Sequence, residues 1–122
     1  MKWKTALLLL VLSAAGLIAG CASGGFIGPQ PLVTNPLQAS NVTFYRTKGI
    51  VGIVGPIYVR LDGQPLMRLW AGESYSFRLD PGEYILDYSI GFNECRRSLL
   101  IYPTQSYRFR LVPNCTVWEY LQ

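Results

Sequence analysis

From Asn41 onward apolar residues recur at every second position, and this period constrains the fold more than any other feature of the chain. Ile57, Val59 and Leu61 alternate with Tyr58 and Arg60; Tyr75, Phe77 and Leu79 alternate with Ser74, Ser76 and Arg78; Tyr84, Leu86, Tyr88 and Ile90 repeat the pattern. Successive side chains of a strand point to opposite faces, so a period of two marks strands buried on one side. Between the runs stand Asp62-Gly63, Asp80-Pro81-Gly82, Gly91-Phe92-Asn93 and Pro103-Thr104-Gln105. Asp-Gly supplies the positive φ angles of a two-residue hairpin, and Pro with Gly sets a tight turn. Strands are expected over 41–46, 57–61, 64–70, 74–79, 83–90, 94–102 and 106–112, with a short last one over 116–121. No helical period follows the N-terminal block. Seven or eight short strands with regular turns imply an all-β fold, a small antiparallel β-sandwich or barrel over residues 41–122.

The chain has 122 residues, room for one small domain once the N-terminal block is set aside. Apolar residues make up 50% and charged residues 15%, with eight Tyr, five Phe and three Trp, which excludes a disordered chain. There is no His, so imidazole acid–base chemistry, serine–histidine triads and histidine metal sites are excluded.

Residues 1–20 read as an export signal. Lys2 and Lys4 give the positive start, and Ala6 to Ile18 is apolar or small throughout. That core is shorter than the roughly 20 residues a spanning helix needs. It leads to Leu17-Ile18-Ala19-Gly20-Cys21, which resembles a bacterial lipobox. The resemblance implies cleavage before Cys21 and acylation of that residue. Each buried acyl CH₂ contributes about 0.8 kcal/mol, and stable anchoring takes two or more chains, so a triacylated Cys21 holds its domain on a membrane. Residue 22 is Ala rather than Asp, which points to the outer membrane, facing the periplasm, within the bacterial envelope.

Three cysteines are an odd count for an exported protein. Lipidation of Cys21 leaves Cys95 and Cys115 as a pair in an oxidising compartment. A hairpin of 94–102 with 106–112 gives a constant index sum that sets Ile101 opposite Phe109, Leu99 opposite Leu111, and Cys95 opposite Cys115. A cross-strand disulfide stapling the open end of this hairpin is therefore expected. A redox-active or metal-binding pair is the weaker alternative, because Cys-x-x-Cys is absent.

Residues 21–40 hold Gly24, Gly25, Gly28, Pro29, Pro31 and Pro36. This is the composition of a flexible linker holding the domain off the bilayer, with Phe26 and Leu32 available to pack back on it. Gly49 to Pro56 is uncharged and repeats Gly-Ile-Val. Ile50, Val51, Ile53 and Val54 either close one end of the core, with Gly serving tight bends, or form an apolar contact loop; no phosphate-loop Lys follows. The hairpin parity also sets Arg96, Arg108 and Arg110 on the face opposite the core with Leu100 and Tyr102. This arginine–aromatic patch is either a solvated outer face or a site for an anionic envelope partner: lipid phosphate, glycan or acidic protein. Nucleic acid is not an expected partner. Removing Lys2 and Lys4 from the eleven basic residues leaves nine against seven acidic, a mild excess.

The stretches Tyr58-Val59-Arg60-Leu61-Asp62-Gly63 and Gly72 to Tyr84, together with Phe44-Tyr45-Arg46, resemble PEGA-type β-sandwich modules. They also resemble a group of small bacterial lipoproteins of unknown function built on that pattern. The resemblance implies a β-sandwich and brings no catalytic residues; the Cys95–Cys115 pair lies outside the pattern.

An enzyme is not expected. Asp62, Asp80 and Glu83 fall in or beside turns, Asp87 on the polar side of its strand, and Ser74 and Ser98 have neither a His nor a lysine base, the only lysine after the signal being Lys48. No metal or cofactor is implied. The expectation is a membrane-anchored, non-catalytic binding or structural module, with an inhibitor of an envelope-attacking enzyme such as lysozyme as the alternative.

Overall fold

A computed structural model describes residues 24–48 and 55–121. The export signal 1–20, Cys21 and the loop residues Ile50, Val51, Ile53 and Val54 lie outside the described residues. Nine strands occur among those described: β1 (Gly25–Phe26), β2 (Ser40–Tyr45), β3 (Ile57–Leu61), β4 (Gln64–Leu69), β5 (Ser74–Leu79), β6 (Gly82–Ile90), β7 (Asn93–Ile101), β8 (Ser106–Leu111) and β9 (Val117–Leu121). They form two sheets, β1-β4-β3-β6-β7 and β5-β2-β8-β9. All neighbours are antiparallel except the parallel pair β2–β8. The fold is a small β-sandwich.

Alternation builds the core as the period requires. Val42, Phe44, Phe77, Leu79, Phe109 and Leu111 point inward from the four-stranded sheet, against Ile57, Val59, Met67, Leu86, Leu99 and Ile101 from the five-stranded one. Ring contacts run from Phe26 through Phe77 and Phe44 to Phe109, at centroid distances of 6.4, 5.3 and 5.8 Å. Each fully buried ring contributes about 1.5–3 kcal/mol. The Asp62-Gly63 turn has φ angles of 49° and 79°, the pair a type I′ hairpin demands. In the return strand the register shifts opposite Val59 and Arg60, where Pro65 brings no N–H to the ladder. Leu66 and Met67 are consequently both buried.

Two expectations are corrected. The first is the hairpin of 94–102 with 106–112. Strand β7 pairs with β6 in one sheet, and β8 pairs with β2 and β9 in the other, so the chain crosses the sandwich as an arch. Residues 38–41 hold the crossing: Thr104 N–H donates to the Gln38 carbonyl, Asn41 N–H to the Gln105 carbonyl, and Gln105 N–H to Ser40 Oγ. Ser40 Oγ in turn donates to the Tyr102 carbonyl. These bonds satisfy the polar groups of the corner beside the start of β2, so the chain leaving the corner pairs with β2.

The second correction concerns residues 21–40, read as a flexible linker with Phe26 and Leu32 available to pack back on the domain. From Gly24 onward the chain lies on the body. Strand β1 pairs with β4, Ile27 N–H donates to the Leu66 carbonyl, and Phe26 packs on Tyr75 and Phe77. A Cβ at Gly28 would strike the Pro65 carbonyl. Asp80 then fastens the strap: Oδ2 accepts from Thr34 N–H and Oγ1 at 2.9 and 2.8 Å, and Oδ1 from Asn35 N–H at 3.1 Å. These donors hold the Asp80 carboxyl below the usual range, the Thr34 backbone N–H contributing most. Leu32 stays outside, 83% exposed.

The sandwich therefore closes differently on its two sides. Beside β1 and β5 the strap covers the edge. Beside β7 and β9 a Cys95–Cys115 disulfide joins the sheets, with a Cα–Cα distance of 5.1 Å. There Arg97 Nη1 also donates to the Val117 carbonyl and the Tyr88 hydroxyl to the Val112 carbonyl. The expected disulfide is present, but it bridges sheets instead of stapling a hairpin.

Candidate functional site

The outward positions of the two sheets carry the charged and aromatic side chains that a partner meets. On the five-stranded sheet the register aligns Tyr58 with Ser89 and Glu94, and Arg60 with Asp87 and Arg96. Arg96 Nε donates to Asp87 Oδ1 at 2.7 Å. Asp87 holds the Arg96 guanidinium above its ordinary pKa. One register step along, Ser98 Oγ donates to Glu83 Oε1 at 2.7 Å. A shallow depression of about 320 Å³ lies among Tyr58, Arg60, Asp87, Glu94 and Arg96. On this face cations and carboxylates stand side by side.

The four-stranded sheet presents a different surface. One row across it reads Ser74, Tyr45, Arg110, Trp118; the next reads Ser76, Thr43, Arg108, Tyr120. The Arg108 guanidinium lies 4.6 Å from the Tyr45 ring centroid, and that of Arg110 5.4 Å from Trp118. Both arginines are half-buried, each against one ring. Among the described residues no carboxylate or carbonyl accepts from either, and Arg110 Nε is buried with no acceptor. Arg78, on the third row, donates to the Pro36 carbonyl at 2.7 Å. No strand position on this outer face is acidic, since Glu119 shares the inward parity of Val117.

The expected grouping of Arg96, Arg108, Arg110 and Tyr102 is therefore corrected. Arg96 lies on one outer face and Arg108 and Arg110 on the other, about 10 Å of packed sheet apart. Tyr102 sits past the end of β7 at the crossing, 59% exposed, its N–H donating to the Tyr107 hydroxyl. An arginine–aromatic surface does exist, but its rings are Tyr45, Trp118 and Tyr120. Sequence reading missed Tyr45 for want of the parallel β2–β8 pair, and Trp118 and Tyr120 for want of the β8–β9 pair, because β8 was matched with β7. Their outward parity was readable; which strands they share a sheet with was not.

Most carboxylates hold the scaffold. Asp62 Oδ1 accepts from Ile85 N–H at 2.7 Å, and Glu73 accepts from Trp70 N–H and the Tyr75 hydroxyl. The Glu73 hydrogen bond, with burial, raises the Tyr75 pKa. Arg46 is buried at the end of β2, donating to the Gly55 and Leu69 carbonyls at 2.7 and 3.2 Å, and burial lowers its pKa. It thereby ties the start of β3 to β4. Among the described residues no group of three His, Cys, Asp or Glu could hold a metal ion, and no helix is long and apolar enough to cross a membrane.

Among solved structures, the chain is similar to the N-terminal domain of AlgF from P. aeruginosa. The TM-score is 0.50 at 17% identity, over 73% of this chain and 99% of that one. At that identity the likeness speaks to the fold. No family model and no curated protein matches the chain.

Proposed function

We propose that this chain is a bacterial envelope lipoprotein, anchored through Cys21 in the outer membrane and facing the periplasm, whose sandwich acts as a non-catalytic binding or structural module. The observation that carries the reading is the ordered string of Lys2, Lys4, the apolar run Ala6 to Ile18, and Leu17-Ile18-Ala19-Gly20-Cys21. The oxidised Cys95–Cys115 pair supports export to an oxidising compartment. Kinship with PEGA-type modules is supported by Asp62-Gly63 and Pro81-Gly82, each standing between consecutive antiparallel strands or at the start of one. The non-catalytic reading is supported by the scaffold bonds of Asp62, Glu73, Asp80, Glu83 and Asp87.

Intact mass spectrometry of protein from the native host tests the anchor. A mature species starting at an acylated Cys21 is expected. A chain without acyl mass, or a full-length cytosolic chain with both later thiols reduced, sinks the reading. In-cell cross-linking of envelopes tests the module, which is expected to capture a protein, glycan or lipid partner. The rival reading, a lysozyme inhibitor, requires that added protein slow lysis; unchanged rates across a lysozyme panel discard it.

A further inference from the structure

We propose that the Tyr45–Arg108–Arg110–Trp118 face of the four-stranded sheet lies on the anionic lipid surface to which the chain is tethered, with its arginines on headgroup phosphates. The proposal rests on the anchored reading above and adds an orientation to it.

Three observations carry it. The first is reach. Gly24 already sits on the body, where a Cβ would strike Glu73 and the Arg68 carbonyl. Only the peptide links from Cys21 to Gly24 separate an acylated sulfur from the fold, roughly 11 Å of fully extended chain. A body on so short a tether must rest some part of its surface on the headgroups.

The second is place. Gly24 meets the body beside Glu73, and the next residue, Ser74, begins the row that runs through Tyr45 and Arg110 to Trp118. That row is roughly 14 Å across, three strand spacings. The tether thus ends at the seam where β1, the edge of one sheet, passes the start of β5, the edge of the other, and tilting about that seam lays the arginine face down.

The third is charge. Arg108 and Arg110 have ring contacts and, among the described residues, no anionic partner, and Arg110 Nε is buried without an acceptor. Trp118 and Tyr120 are 49% and 45% exposed. Arginine with Trp and Tyr is the combination that suits the headgroup layer: the cation meets phosphate and the amphipathic ring sits at the water boundary. On the other outer face Arg60 and Arg96 stand beside Asp87, so that charge is already met within the fold. A flat cationic face also fits an anionic glycan or an acidic protein, but neither of these explains why the tether ends at this seam.

The test uses the acylated mature chain, from Cys21 onward, carrying W70F, which leaves Trp118 as its one indole. It is reconstituted in vesicles of phosphatidylglycerol with bromine-labelled phosphatidylcholine, and in vesicles of bromine-labelled phosphatidylcholine with unlabelled phosphatidylcholine. Loss of Trp118 emission is expected in the anionic vesicles alone. It should be reversed by R108Q/R110Q and by high salt, which screens exposed charge. The salt arm stands even if the double variant folds poorly. Trp118 emission equal in the two vesicle types overturns the proposal. So does emission that responds only to an added anionic polysaccharide or acidic protein. Intact mass of the same sample reads the anchor separately. Missing acyl mass overturns the anchored reading together with the reach argument, whereas acylated protein with unquenched Trp118 overturns the docking alone.

Discussion

The two outer faces of the sandwich hold similar side chains in different company. On the five-stranded sheet Arg96 grips Asp87, and Ser98 grips Glu83. On the four-stranded sheet Arg108 and Arg110 rest on aromatic rings with no anion beside them. The first face brings its own carboxylates to its cations. The second retains attraction for an anion from outside, at the modest cost of like charges two residues apart on β8. Charge complement, rather than the number of arginines, separates a face that merely stays soluble from one suited to a partner.

That contrast can be tested in order of expected effect. The largest change should come from separating the faces. C95A/C115A removes the link between sheets and should lower unfolding free energy by about 3 kcal/mol on the loop-entropy model, read by urea denaturation. Vesicle binding by the arginine face should survive it, since neither cysteine lies there. Next, R108Q/R110Q should weaken partitioning of the unacylated mature chain onto phosphatidylglycerol vesicles roughly thirtyfold, at about 1 kcal/mol per arginine near an anionic surface. Its thermal midpoint should move little. T43E sets one carboxylate beside Arg108 in the register. It makes the second face resemble the first and should weaken the same partitioning about fivefold.

A smaller effect is expected at the strap. Asp80 has its pKa lowered by the Thr34 and Asn35 donors. Its contribution to stability is therefore present above the unfolded carboxylate pKa and is lost as pH falls through the lower folded value. D80N should flatten the acid limb of the stability profile and loosen Arg78, whose acceptors Pro36 and Ala39 belong to the strap. The smallest effect belongs to the paired face. R96Q removes an exposed ion pair and should leave the urea midpoint within error.

Much of this architecture was readable from residues alone. The strands from Ile57–Leu61 to Ser106–Leu111 fall within a residue or so of their expected spans, because period-two burial and turn chemistry are local signals. Partnership is not local. A hairpin and an arch bury Leu99, Ile101, Phe109 and Leu111 equally well, so alternation cannot separate them. Cys95 and Cys115 were matched through the wrong geometry because both arrangements bring points of similar contour distance from the corner together. The outward arginines had no such protection: an arch sends Arg96 to one side of the molecule and Arg108 to the other. Strand β1 escaped notice because two residues carry no periodic signal. The strap's hold depends on Asp80, 45 and 46 residues away from its donors.

The placement of β2 also governs the order in which the molecule can be assembled. Val42 pairs with Phe77 on one side and with Tyr107 on the other, so the central strand of its sheet waits for two much later parts of the chain. A polypeptide ending at Ile101 would leave β2 with one bare edge and its sheet without two of its four strands. Parallel contacts across such sequence distances are slow to form, and an unfilled edge meanwhile invites pairing with other chains. The last strands thus complete the first, and the chain becomes safe from self-association only when nearly all of it is present.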